Sequence, residues 1–96
     1  MKRSIIDSPD VFRQWCSKLE DTWSLDFETT SLNWLGLEVV GWSICDGKQA
    51  CYVICNTEYK KELLLILEYH IREAKCIIFH NSSFDMMCLK KEGIEI

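Results

Sequence analysis

Two carboxylates, Asp26 and Glu28, stand one residue apart in the stretch DFETTSL. Apolar and polar residues alternate around them, which is typical of a β-strand, so both acids project from one face. Side chains at i and i+2 of a strand lie roughly 6.5–7 Å apart, and two carboxylates that meet at one point repel each other unless a cation lies between them. Carboxylate oxygens suit Mg²⁺ or Mn²⁺. A D-x-E pair alone is more often a solvated strand face, so a second signal is needed.

A second candidate acid, Asp85, lies in the stretch HNSSFD, directly after a predicted buried strand. It has a structural explanation, because Ser82 and Asp85 show the spacing of a capping box at a helix start. Capping by Ser82 does not account for Asn81, whose amide is placed where the strand ends. The two acidic motifs both follow strands at their carboxyl ends, which is the edge where α/β sheets carry their chemistry. Their positions therefore favour a shared site.

Hydrophobic periodicity predicts the elements that position these residues, in the order helix, three strands, helix, strand, helix. Their expected ranges are 9–19, 23–27, 37–45, 50–55, 58–74, 76–79 and 84–91. Ser8 and Pro9 mark the start of the first helix, and Gly93 closes the last one. The dipeptide Asp46-Gly47 is favoured in tight hairpin turns. Three antiparallel strands followed by alternating helix and strand predict a mixed sheet in one α/β domain.

The composition excludes one class of nucleic-acid surface. The chain of 96 residues carries a net charge of −4 and has a pI near 5.1. Such a chain cannot hold nucleic acid by broad cationic attraction, so contact with a polyanion must be local or mediated by metal. No apolar stretch has the length of a signal sequence or a membrane span, and we expect a soluble, cytoplasmic protein with no membrane partner.

Six cysteines raise the question of a zinc site or a disulfide framework. No C-x-x-C pair occurs in the sequence, and both histidines are distant from any paired cysteine. A free cysteine among apolar neighbours behaves as a small hydrophobic residue, so a structural Cys-rich module is the weakest alternative. His70 falls on the apolar stripe of the predicted second helix, and we expect it at the edge of the core rather than on a metal.

The two acidic motifs together resemble those of the DEDD superfamily of 3′–5′ exonucleases, in particular the proofreading domains of family A DNA polymerases. The first motif of that family is D-x-E, often continued T-T-x-L, as in DFETTSL. The second is N-x-x-x-[FY]-D or one residue shorter, and residues 81–85 match the shorter form. The resemblance spans roughly residues 20–93 and implies a ribonuclease H-like mixed sheet, here incomplete.

The resemblance also implies a role for each matched residue. Asp26 would bridge two divalent metal ions, Mg²⁺ or Mn²⁺, and Glu28 would ligate the one that activates water. Asp85 would hold the second ion through water. Thr29 would offer its backbone near the terminal 3′-hydroxyl, and Leu32 would wedge against the last base. Family members bind a single-stranded DNA 3′ end and release nucleoside monophosphates.

Asn81 would complete the substrate-binding set, but a third family motif, Y-x-x-x-D or H-x-x-x-D, is not found. Candidate segments begin at Tyr52, His70 and His80, and none of them ends in aspartate. We therefore expect residues 1–96 to be the N-terminal portion of a single exonuclease domain, inactive alone. Its partner would be the remainder of an exonuclease or polymerase polypeptide, or a second copy. The alternative is a degenerate, non-catalytic module that binds nucleic acid, a polymerase or a sister subunit.

Overall fold

A computed structural model of the protein describes residues 1–31 and 33–94. Within these residues it contains five strands and three α-helices, which confirms the predicted α/β class. In chain order the elements are β1 (Lys2–Ile6), α1 (Pro9–Cys16), β2 (Thr22–Thr29), β3 (Val39–Cys45), β4 (Gln49–Ile54), α2 (Lys60–Glu73), β5 (Cys76–Phe79) and α3 (Ser82–Lys91). A short 3₁₀ turn, Trp34–Gly36, lies between β2 and β3.

The strands form one mixed sheet in the order β1-β4-β3-β2-β5. The predicted meander is confirmed, because β2 pairs antiparallel with β3 and β3 pairs antiparallel with β4. At the hairpin turn, Gly47 has a φ of 91°, and the Asp46 carboxylate accepts hydrogen bonds from the backbone N–H groups of Lys48 and Gln49. Strand β5 pairs parallel with β2. Strand β2, which carries Asp26 and Glu28, therefore lies inside the sheet rather than at an edge.

Strand β1 was not predicted. It pairs parallel with β4 at the edge of the sheet, with Ile6 opposite Val53. Only Ile6 of this strand is buried, while Ile5 is 77% exposed. A short edge strand that buries one residue leaves little periodic signal in the sequence. Strand β1 widens the sheet on the side away from the acidic motifs.

One face of the sheet carries the core. Trp23, Leu25 and Phe27 of β2 are all buried there, as their alternation predicts. Trp42 of β3 packs against Phe27, with ring centroids 6.2 Å apart, and against the α1 side chain Phe12 at 5.9 Å. The apolar stripe of α2 completes this layer with Leu63, Leu64, Ile66, Leu67 and Ile71. The polar residues that alternate with the core positions of β2 therefore lie on the opposite, outward face.

The outward face is partly open to solvent. Ile5 of β1 is 77% exposed and Ile78 of β5 is 56% exposed. Tyr52 of β4 is half-buried on this face. The six cysteines are free thiols, with Cys76 exposed beside Ile78 on β5. No helix in residues 1–31 and 33–94 is long and apolar enough to cross a bilayer.

Candidate active site at the ends of strands β2 and β5

The carboxylates of Asp26 and Glu28 lie on the outward face of β2, as predicted. Asp26 is half-buried and pairs with Ser43 of β3, while the exposed Glu28 pairs with Gly41. Within the described residues, neither side chain accepts a hydrogen bond or joins an ion pair, whereas the other acid of the site, Asp85, accepts two hydrogen bonds. The two β2 carboxylates are therefore available to a ligand.

The β2 ladder changes register directly after Glu28. Glu28 pairs with Gly41, but Thr29 pairs with Val39, so Val40 is an extra residue on β3. A bulge of this kind bends the strand that carries the extra residue, here β3, and changes the direction of the side chains around it. Just beyond it, the Thr30 hydroxyl donates to the carbonyl of Gly36 and accepts from the backbone N–H of residue 38, both at 3.2 Å. The strand therefore ends immediately after the acids in a loop that is tied back on itself.

Asp85, in the first turn of α3, is fully buried. Its Oδ2 accepts from the backbone N–H of Asn81 at 3.1 Å, and its Oδ1 accepts from the backbone N–H of Phe27 at 3.4 Å. Strand β5 pairs with β2 only as far as Leu25, and the Asp85 carboxylate meets β2 just beyond that point. Phe27 is the residue between Asp26 and Glu28, so the fold brings the second motif onto the first.

The electrostatics of Asp85 oppose its ionisation. Burial raises the pKa of this carboxyl group, and the nearby charge of Asp26 raises it further. The backbone N–H groups of Asn81 and Phe27 act in the other direction, because they stabilise the carboxylate. A cation beside Asp26 and Asp85 would relieve the repulsion that remains between the two charges.

The helix cap differs from the predicted one. Asn81, not Ser82, is the N-cap of α3, and its side-chain oxygen accepts from the backbone N–H of Phe84 at 3.3 Å. Ser82 is the first residue of the helix. Asn and Ser are both strong N-cap residues, so their adjacent positions gave the sequence no means to choose between them. Capping therefore accounts for the carbonyl half of the Asn81 amide and leaves its NH₂ group to other partners.

The remaining predicted substrate contacts lie around the end of β2. Thr29 is half-buried, and its hydroxyl donates to the carbonyl of Ser31 at 2.8 Å. Its backbone remains the feature expected near a 3′-hydroxyl. Leu32, the predicted wedge, lies outside the described residues.

Tyr52 and Gly41 are neighbours of the site that the sequence analysis did not identify. A Cβ atom added at Gly41 would lie 2.7 Å from Cζ of Tyr52 and 2.7 Å from the backbone oxygen of Val53. Burial raises the pKa of Tyr52, and the charge of Glu28 adds to the effect. A glycine inside the strand pattern LEVVGWSIC was the available signal, because glycine within a strand often marks a close approach.

The donor set suits a hard divalent cation, since it consists of carboxylate oxygens. Asp26 and Glu28 are unengaged, and each oxygen of Asp85 accepts only one hydrogen bond among the described residues. However, no three His, Cys, Asp or Glu side chains in the described part of the chain already form a group that could hold a metal ion. The three acids lie near the carboxyl end of β2, but among the described residues they do not form a ready group of metal ligands.

Comparison with known proteins identifies a family for most of the chain. Residues 4–96 match the sequence profile of a protein family described as 3′–5′ exonuclease. The match covers nearly the full chain, including the last three residues of strand β1 and both acidic motifs. No curated protein matches the chain.

Proposed function

This chain belongs to the 3′–5′ exonuclease family, and from that premise we propose that its carboxylates direct hydrolysis of the phosphodiester at a DNA 3′ end. The products would be nucleoside monophosphates. The observation that carries the proposal is the hydrogen bond from the Phe27 N–H to Asp85, which joins the two acidic motifs 58 residues apart in sequence. A cap for α3 needs only the bond to Asn81, so the second bond is the one that links helix to site.

Three carboxylates would hold the cations, Mg²⁺ or Mn²⁺. Asp26 shares one face of β2 with Glu28 and its charge acts on Asp85, so it would serve both ions. Glu28, the most exposed of the three, would hold the ion next to the attacking water, and Asp85 would act through a bound water because both of its oxygens already accept a backbone N–H. When bound, two such ions activate water and stabilise the leaving oxygen of an in-line displacement.

The substrate would be the 3′ end of a single strand. A site of three acids in a chain of net charge −4 repels phosphate, and bound cations reverse that sign locally. The backbone of Thr29 would lie near the terminal hydroxyl, and the NH₂ group of Asn81 would donate to the strand. Leu32 would contact the last base.

A second candidate function is a non-catalytic module that holds a DNA end, a polymerase or a sister subunit. Its support is that the described residues contain no preformed group of three metal ligands, together with the missing third motif. For the catalytic function, we propose that a further polypeptide segment or a second copy supplies the missing ligand. The exposed apolar residues Ile5 and Ile78 at the two edges of the sheet are consistent with a surface that something else covers.

An end-labelled single-stranded oligonucleotide with Mg²⁺ or Mn²⁺ tests the proposal. With the segment or second copy that supplies the missing ligand present, we expect stepwise release of mononucleotides from the 3′ end, and we expect chelation and Asp26→Ala to abolish it. The matched control is Asp21→Ala, which removes an exposed acid just before β2, at the end of that strand opposite the site, and should leave the rate unchanged. Cleavage that survives Asp26→Ala would refute the catalytic assignment. Binding of the oligonucleotide without cleavage under those same conditions would favour the non-catalytic module.

A further inference from the structure

We propose that Glu92 is a positioning residue of this site, whose carboxylate holds the bulge of β3 in the conformation that orients Glu28 and Thr29 of β2. This inference rests on the proposed function, because Glu28 and Thr29 are the residues expected to meet a metal ion and the 3′-hydroxyl. Glu92 is the C-cap residue of α3, the helix that carries Asp85. It belongs to neither acidic motif.

The bulge of β3 needs hydrogen-bond partners that the neighbouring strand β4 does not supply. The pairing of β3 with β4 begins at Gly41, which lies opposite Ile54, so Val39 and Val40 lie beyond it. Val39 is fully buried, and a buried backbone group without a hydrogen bond is costly. Another part of the chain must therefore satisfy the backbone of the bulge.

Two side chains satisfy the backbone of Val39. Oε2 of Glu92 accepts a hydrogen bond from the Val39 N–H at 3.3 Å, and the Cys55 thiol donates to the Val39 carbonyl at 3.6 Å. The Cys55 N–H also donates to the carbonyl of Val40 at 3.0 Å. A thiol is a weak donor, whereas a carboxylate is a strong acceptor. The contact from α3 is therefore the stronger of the two side-chain contacts.

The bulge lies directly beside the acids of β2. Glu28 pairs with Gly41 and Thr29 pairs with Val39, so the extra residue Val40 falls between these two pairs. A bulge changes the local twist and the direction of the side chains around it. The conformation of the bulge therefore contributes to the direction in which Glu28 and Thr29 project.

Helix α3 reaches both strands of the site. Asp85 in its first turn accepts from the Phe27 N–H of β2 at 3.4 Å, and Glu92 at its C-terminal end accepts from the Val39 N–H of β3. Residues seven apart, as these two acids are, lie on one face of a helix. Phe27 lies between the two acids of β2, and Val39 pairs with Thr29. The two hydrogen bonds therefore flank the segment of β2 that would hold metal and substrate.

Glu92 also forms an ion pair, which gives a competing explanation. Nζ of Lys60, the first residue of α2, lies 3.2 Å from Oε2 of Glu92 and 3.5 Å from Oε1 of Glu38. The Glu92 and Lys60 side chains are only 15% and 21% exposed, so salt screens their attraction little. If Glu92 only stabilised the fold, this ion pair would account for it. The two explanations differ because an amide oxygen can accept from the Val39 N–H but cannot form the ion pair.

The test compares Glu92→Ala, which removes both contacts, with Glu92→Gln and Lys60→Met, which remove the ion pair and keep an acceptor for the Val39 N–H. The matched control is Glu20→Ala, which breaks a 2.6 Å ion pair with Lys48 near the other end of β2. Amide chemical shifts and amide hydrogen exchange are measured by NMR on the metal-free proteins. Mn²⁺ affinity is measured by isothermal titration calorimetry, and kcat and KM are measured on the labelled oligonucleotide.

In Glu92→Ala we expect the Val39 amide to exchange about tenfold faster, because it has lost its acceptor. The amide resonances of Glu28 and Thr29 should move. Mn²⁺ affinity should fall about tenfold, as is common when a group that orients a metal ligand is removed. On the oligonucleotide, kcat should fall and KM should stay near wild type. The other three variants should match wild type in the Glu28 and Thr29 resonances and in Mn²⁺ affinity.

Two results would overturn the inference. In the first, Glu92→Ala speeds exchange at Val39 but leaves the Glu28 and Thr29 resonances and the Mn²⁺ affinity unchanged, so Glu92 only stabilises the fold. In the second, Glu92→Ala, Glu92→Gln and Lys60→Met lose affinity equally, so the ion pair is the cause. If Glu92→Ala does not fold, the other two variants decide: wild-type resonances in both support the hydrogen bond, and shifted resonances in both refute it.

The failure of this inference differs from the failure of the proposed function. If wild type cleaves, Asp26→Ala does not, and Glu92→Ala equals wild type in Mn²⁺ affinity and kcat, the proposed function stands and the role of Glu92 is refuted. If wild type neither cleaves nor binds Mn²⁺ with the completing segment or second copy present, the proposed function fails. The metal-free spectra then decide whether Glu92 orients Glu28 and Thr29.

Discussion

Strand β2 and helix α3 both contribute carboxylates near the carboxyl end of β2, but these carboxylates differ in the number of contacts that they make. Asp26 and Glu28 have no hydrogen bond or ion pair within the described residues and are half-buried and exposed, respectively. Asp85 is fully buried and joins α3 to β2 through the backbone N–H groups of Asn81 and Phe27. The acidic side chains of the two elements therefore differ in how the fold uses them. The acids of β2 make no such contacts within the described residues, whereas the acid of α3 holds helix and strand together.

This difference has a physical origin in where each motif lies. The backbone N–H and C=O groups of a residue inside a strand are already hydrogen-bonded to neighbouring strands, so its side chain is not needed as their partner. The first turn of a helix has unsatisfied N–H groups, and an acid there is used by the backbone first. A site assembled from both kinds of position gains rigidity from the helix and open ligands from the strand.

The largest expected effect separates the two regions by stability. Asp85→Ala removes the acceptor of the buried Phe27 N–H, which then lacks a partner, and of the part-buried Asn81 N–H. Loss of the buried charge gives partial relief. We expect the free energy of unfolding to fall by about 2–3 kcal/mol in urea denaturation without divalent ions. Asp26→Ala should change it by no more than about 0.5 kcal/mol. Equal losses in the two variants would show that the β2 acids also hold the fold together.

The next prediction concerns the close approach of Gly41 on β3 to residues of β4, beside Glu28 of β2. In Gly41→Ala the new Cβ would lie 2.7 Å from the backbone oxygen of Val53, which cannot move without shifting β4. Overpacking of this kind costs about 1–3 kcal/mol, measured as the loss in free energy of unfolding. Gly36→Ala is the control, because a Cβ there meets nothing within 4 Å. A Gly41→Ala protein as stable as wild type would mean that β3 and β4 have slack beside Glu28.

Several of these features could be predicted from the sequence and others could not, for reasons that differ by residue. Strands β2 to β5 and the Asp46-Gly47 turn follow from local periodicity and turn chemistry, which need no partner to be recognised. The bond between Asp85 and Phe27 joins residues 58 apart, so no local pattern contains it.

The same contrast applies to the other differences. Strand β1 buries only Ile6, and one buried position is too few to establish a period. The glycine at position 41 signals a close approach, but only the register of three strands identifies Tyr52 as the group that approaches. The roles proposed for Asp26, Glu28 and Asp85 come from family resemblance, whereas periodicity predicted only their placement.

The smallest expected effect is local, and it asks whether Asp85 holds α3 in place from moment to moment. Cys88 is buried on α3, and burial, with the charges of Asp85, Glu92 and Asp26 in addition, raises its pKa to about 11. Only the thiolate reacts with iodoacetamide, so the raised pKa and the burial of Cys88 both slow its labelling at pH 8. The labelling rate of Cys88 therefore measures transient opening of α3. In Asp85→Ala we expect the labelling rate of Cys88 to rise about tenfold, equivalent to about 1.4 kcal/mol of lost local stability.

Cys76, exposed on β5, is the internal reference in the same mass spectrum and should react at an unchanged rate. Removal of the Asp85 charge also lowers the pKa of Cys88, so the labelling rate is measured from pH 7 to pH 9. A faster rate with the wild-type pH dependence indicates opening of α3. A pH dependence that is shifted to lower pH indicates the effect of the charge alone. A Cys88 rate that does not change would mean that α3 is held by its apolar contacts, and that the bond between Asp85 and Phe27 serves the site without holding the helix.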